Sequence, residues 1–223
     1  MIPDSLGQLK EARAKTLEKI SECSQEDFDR CPAKSGWNLG EAGKWSIGEL
    51  ADHIVRIMTS LTSEIGELIE LSVRGEKPSL TRGFKDYDVS PSFVPKKAMP
   101  YLEPFFKLAT GVAMSVPSFR KAFIRSRHFP IQNPTQWLPE GGHPADELRE
   151  RLKNSMLILD SIFDAHSEID YNELVLTHSV FGRHTVPELL DTMTMHEEWH
   201  HPDFDALIPE KAAESVEPET AEA

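Results

Sequence analysis

Apolar residues recur at helical spacing in four long stretches of the chain. Leu6, Leu9, Leu17 and Ile20 share one side of a helix over residues 4–23, with Asp4 or Ser5 placed to cap it. Ile47, Leu50, Ile54, Ile57, Met58, Leu61, Ile65 and Leu68 form the stripe of a second helix, from Ser46 to about residue 72. Ser46 and Glu49 stand in the S-x-x-E relation of a capping box. Ala145, Leu148, Leu152, Met156, Leu159, Ile162 and Phe163 mark a third helix over 145–166. The fourth covers 185–204, where Thr185 and Glu188 make another capping box and Pro187 falls harmlessly in the first turn. Pro202 predicts a stop after His201, because a proline disfavours helical backbone in the residue before it.

The intervening stretches are irregular. Residues 24–45 read as a loop, and 171–184 as a connector. Residues 73–144 hold many of the 16 prolines, with short helical pieces expected near 101–114 and 117–127. Four amphipathic helices with no confident strand predict an all-α fold. The expected architecture is a four-helix bundle with a long crossover between helices two and three. The domain spans 1–208. The tail 209–223 is acidic, lacks aromatic residues and is expected to be disordered.

Composition narrows the function classes. A chain of 223 residues suits one sizeable core. Its net charge of −13 removes the basic footprint that duplex binding needs, and an anionic membrane surface would repel it. No apolar run is long enough to span a bilayer. The N-terminal residues lack a basic region followed by an apolar one, and Cys23 and Cys31 match neither a disulfide framework nor a zinc motif. A cytoplasmic protein with reduced thiols is the expectation.

Candidate chemistry lies on the fourth helix. His196 and His200 are one turn apart, in line with Leu189 and Met193. Two imidazoles so placed can share a metal ion. His53, at the edge of the second helix's stripe, is the sole histidine in the first two helices and the best third ligand. Three histidines leave an open coordination position, which suits a catalytic site, and imidazole accepts Zn, Ni, Cu or Fe. His201 is turned about 100° from His200 and should point away. Glu49, Asp52 and Glu197 are within reach of orienting roles, although a cap or surface place fits each. Arg120, Arg125 and Arg127 form a basic-aromatic stretch with Phe119 and Phe123 that can face an anion or solvent.

His196-Glu197-x-x-His200 also fits the zinc-peptidase pattern, with Glu197 as general base. Its extended form requires glycine where Asp203 stands, and no strand is evident to align a peptide.

Trp45-Ser46-x-x-Glu49-x-x-x-His53 resembles the opening of the second helix in the DinB/YfiT-like superfamily. His178-Ser179-Val180-Phe181-Gly182, followed by Thr185 and by His196-x-x-x-His200-His201, is similar to that family's later motifs. Order and separations agree over roughly residues 5–205. Ser179 replaces a usual proline, and Pro202-Asp203 replaces residues that continue the helix.

The resemblance implies a bundle holding a divalent metal, Zn or Ni foremost, on His53, His196 and His200. It also implies a small-molecule substrate and a low-molecular-weight thiol cosubstrate, as in the family's S-transferases and isomerases. A transferase or hydrolase of small molecules is therefore the first reading. A metal-binding or stress-response bundle without catalysis is the second, and the zinc peptidase the third. Homodimers are common among such bundles, although no isolated apolar face demands one here.

Overall fold

A computed structural model describes residues 2–31, 45–88, 96–98, 101–105, 118, 119, 122, 133–178 and 182–209. In chain order the elements are α1 (Asp4–Ile20), α2 (Gln25–Asp29), α3 (Ile47–Val73), β1 (Ser79–Arg82) and α4 (Phe84–Tyr87). After two 3-10 turns (Lys96–Ala98 and Thr135–Trp137) come α5 (Ala145–Ala165), β2 (Val175–His178), β3 (Gly182–Thr185) and α6 (Val186–Leu207). The chain is mostly helical. Helix α1 packs along α6, and α3 packs against both α5 and α6.

The expected capping boxes form. Ser46 Oγ accepts the Glu49 N–H and Glu49 returns a carboxylate to the Ser46 N–H at 2.8 Å. Thr185 and Glu188 do the same at the start of α6. The first helix departs from expectation. Its N-cap is Pro3, with no side-chain cap, and it ends at Ile20 rather than residue 23. Arg149 closes that end, donating to the carbonyls of Ile20 and Cys23 while lying over the Phe28 ring. Within the expected loop 24–45, Ser24 and Asp27 cap the short helix α2, whose Phe28 is fully buried.

A three-stranded sheet corrects the all-α expectation. β1 pairs in parallel with β2 (Ser79 opposite Val175), and β2 pairs antiparallel with β3 (His178 opposite Gly182). Each strand has four residues, too few for an alternation to stand out, and β1 finds its partner nearly a hundred residues later. The β2–β3 hairpin aims α6: Thr185 ends β3 and caps the helix.

Pro202 does not end α6. The helix continues through it to Leu207. An interior proline removes one backbone hydrogen bond and costs about 3 kcal/mol in an exposed helix. Here the turn beyond it is tied down from outside. Phe204 is fully buried, Asp203 bonds His200, and Asp205 meets Lys19 of α1 at 2.5 Å.

The apolar core has two parts. One contains Ile57, Met58, Leu61 and Ile65 of α3 with Leu189, Leu190 and Met193 of α6. The other contains Ile47, Leu50, Ala51 and Ile54 of α3 with Phe204 of α6. No described helix is long and apolar enough to cross a membrane. Arg120, Arg125, Arg127, most of the two expected crossover pieces and residues 210–223 lie outside the described residues.

His178 is buried on β2, stacked 4.5 Å from the Tyr87 ring. Burial, with the charge of nearby His184, lowers its pKa from 6.5 to about 3. The unfolded chain therefore binds a proton below pH 6.5 that the folded chain refuses until about pH 3. This contribution to stability is complete above pH 6.5 and is lost as the pH falls toward 3. Denaturant titrations should show His178 accounting for about 2 kcal/mol of destabilisation between pH 7 and 5, at about 1.4 kcal/mol per pH unit. His178→Phe should flatten the stability–pH curve by that amount; an unchanged curve would show that His178 is not held neutral.

Candidate metal centre

The two apolar cores meet at a polar layer. His53 of α3 and His196 and His200 of α6 project into it, with ligand nitrogens within 4.8 Å of one another. His53 and His200 are buried and His196 is half-buried. Trp45 packs on the His53 ring at 4.7 Å, and Trp199 stacks on His200 at 5.8 Å.

Hydrogen bonds set the direction of two rings. His53 Nδ1–H donates to the Trp137 carbonyl at 2.7 Å, since a carbonyl can only accept. His200 Nδ1–H donates to Asp203 Oδ2 at 3.0 Å. Each bond leaves Nε2 with its lone pair toward the other rings. Such carboxylate and carbonyl partners are what orient metal-ligating histidines. His200 Nε2 and His196 Nε2 are 3.3 Å apart. Two nitrogens at roughly 2.0–2.1 Å from a shared tetrahedral ion stand about that far from each other. The residues therefore fit a divalent ion.

Electrostatics also favour ligand-ready rings. Burial lowers the His53 pKa to about 4, against the raising influence of the Trp137 bond and the Asp52 charge. Burial and the neighbouring His200 and His53 push His196 well below 6.5. Both are neutral at pH 7, as coordination requires.

The chain matches the DinB superfamily over residues 8–202. It belongs to the DinB superfamily. Members of this superfamily are metal-binding in general, and the histidine layer of this DinB chain is a metal-competent cluster. No curated protein and no solved structure matched it.

Other candidates are placed elsewhere. Glu197, proposed by its motif as a general base and by its position as a surface residue, is not exposed, and its carboxylate is engaged by α1. It is buried against α1, where both its oxygens take Arg13 N–H groups at 2.6 and 2.9 Å. Thr16 donates to it at 2.7 Å, and Arg13 also meets the Leu152 carbonyl and Ser155 on α5. One residue is about 100° on a helix, so Glu197 and His196 face different neighbours. His201 also turns to α1, its Nε2–H shared between Thr16 Oγ1 and the Ala12 carbonyl. Glu49 is the cap its spacing indicated.

Asp52 is not a surface residue. It is fully buried, pairs with Arg56 at 2.7 Å and Arg151 at 3.1 Å, and accepts the Glu140 N–H at 2.8 Å. Burial alone would raise its pKa, but the Glu140 N–H and Arg56 outweigh it and hold the carboxylate below its ordinary value. Asp52 thereby anchors to α3 the segment that presents the Trp137 carbonyl to His53.

Two participants escaped the sequence reading. Asp203 carried a signal, its i,i+3 spacing from His200, hidden by the expected helix stop at Pro202. The Trp137 carbonyl carried none, because any residue type supplies one. The placement of Glu197 has a measurable consequence. Glu197→Gln strands Arg13 in the interior and should destabilise the fold by about 3–5 kcal/mol in urea titrations. Its metal content, measured below the unfolding transition, should stay at the wild-type value; selective loss of metal would place Glu197 at the centre instead.

Proposed function

We propose that this chain is a metal-dependent enzyme acting on small molecules, with a divalent ion, Zn or Ni, held by His53, His196 and His200. The convergence of three imidazoles, two of them aimed through their Nδ1–H groups, carries the reading. We read the packing of α1, α3, α5 and α6 as the family's four-helix bundle with its long crossover. Cytoplasmic residence belongs to the same reading and suits two free cysteines.

When bound, an ion of this kind lowers the pKa of a thiol or water that reaches it. The proposed reaction is S-transfer, in which the sulfur of a low-molecular-weight thiol bonds to an electrophilic carbon of a small molecule as the leaving group departs with its electron pair and the thiol proton passes to solvent. The chain's own part is positional. Asp203 and the Trp137 carbonyl fix two rings, the half-buried His196 side admits the reactants, and Trp45 and Trp199 keep the inner side apolar. A peptidase gains no support, since Arg13 occupies both oxygens of Glu197.

Metal analysis of protein purified after growth with added Zn and Ni tests the centre. About one ion per chain is expected in wild type and little in His53→Ala, His196→Ala or His200→Ala; a metal-free wild type would overturn the proposal. Asp203→Ala should weaken metal affinity by about 10–100-fold in chelator competition. Glutathione and chlorodinitrobenzene then test the chemistry. Conjugation above background that disappears in His53→Ala, with no casein cleavage, is the expected result. Full metal loading without turnover of any thiol–electrophile pair would favour a non-catalytic metal-binding module.

A further inference from the structure

Asp52 and His53 are neighbours on α3, and both reach the same short stretch of chain. His53 Nδ1–H meets the Trp137 carbonyl at 2.7 Å, and Asp52 Oδ2 accepts the Glu140 N–H at 2.8 Å. Adjacent side chains leave a helix about 100° apart, so the stretch is gripped at two separate points. The Asp52 carboxylate is itself fully buried and held from two helices. Arg56 Nε–H donates to its Oδ2 at 2.7 Å, and Arg151 of α5 stands 3.1 Å from its Oδ1.

Packing fixes the Trp137 ring, which is buried 5.5 Å from the Tyr87 ring. Packing of the ring does not fix the carbonyl. The direction of a carbonyl follows ψ of its own residue, and hence the path of the chain beyond it. Beyond Trp137, the Leu138 N–H closes the 3-10 turn on the Thr135 carbonyl at 3.2 Å, and Pro139 has no N–H to give. The Glu140 N–H is the next backbone donor, and it goes to Asp52. The Glu140 side chain, 70% exposed, adds only a surface pair with Arg56.

We propose that Asp52 and Arg151 are positioning residues for the histidine layer: the Arg151–Asp52–Glu140 N–H chain holds the Trp137 carbonyl on His53 Nδ1–H, and so keeps the His53 lone pair on Nε2, toward His196 and His200. An imidazole without that partner can carry its proton on either nitrogen, and a proton on Nε2 removes the lone pair that coordination needs. Helix α5 thereby acts on the layer through α3 and the 137–140 stretch. The consequence for metal affinity rests on the metal reading, whereas the tautomer is a property of the chain itself.

Two measurements test this. Nitrogen-15 spectra of the metal-free protein near neutral pH report which His53 nitrogen is protonated, and His53→Ala assigns that ring among the nine histidines. Zinc affinity is measured alongside, by competition with a chromophoric chelator. Wild type should carry the His53 proton on Nδ1. Asp52→Asn should show a second population protonated on Nε2 and bind zinc about tenfold more weakly, the lower end of the range for loss of a partner behind a ligand. Arg151→Met, which leaves Asp52 in place, should move both readouts the same way and carries the test where Asp52→Asn does not fold. Glu140→Ala keeps the backbone N–H and should match wild type in both. So should Glu197→Gln below its unfolding transition, although it loses a buried ion pair of its own. Wild-type tautomer and affinity in the Asp52 and Arg151 variants would overturn the proposal, as would equal changes in Glu197→Gln, the mark of a general loosening. A wild type that binds no zinc would sink the metal reading alone, because the tautomer comparison still decides the role of Asp52.

Discussion

The interior of this protein must hold three imidazoles between two apolar cores, and much of the fold serves that requirement. A buried polar ring is tolerated only with its hydrogen bonds made. His53 and His200 meet the condition on their Nδ1 side through the Trp137 carbonyl and Asp203. That arrangement turns the remaining nitrogens toward one point. The desolvation that disfavours charge on His53 and His196 is therefore also what keeps them available to a cation.

Two ion-pair systems support the layer from outside it. Arg13 and Glu197, each about 2% exposed, bind α1 to α6, and Arg13 extends to α5. Removing either partner would strand a charge in the buried interior, so the pair specifies how the helices meet more than it adds net stability. Asp52 does the corresponding work between α3 and the 133–144 segment. In both cases the carboxylate is adjacent in sequence to a histidine of the layer, and the helical rotation of about 100° sends the two side chains to different tasks.

Much of the fold was legible because long helices advertise themselves. The stripes of α3 and α5 and the two capping boxes were readable from spacing alone. The sheet was not, since four-residue strands carry little pattern and their pairing is decided at long range. The histidine layer was partly legible. The i,i+4 pair on α6 could be read locally, and His53 was selected by its position on a facing helix. Asp203 was concealed behind Pro202, whose local preference lost to the buried Phe204 and the two carboxylate contacts beside it.

The sequence by itself determined where the long helices lie, how α3 and α6 begin, and that His196 and His200 share a face. These depend on contacts within a few residues, which helical periodicity and capping express directly. Only the tertiary structure decided that His53 meets that pair, that Glu197 is spent on Arg13, and that α6 passes through Pro202. Those outcomes come from burial and charge pairing between distant segments, whose energies of several kcal/mol exceed the local preferences they override.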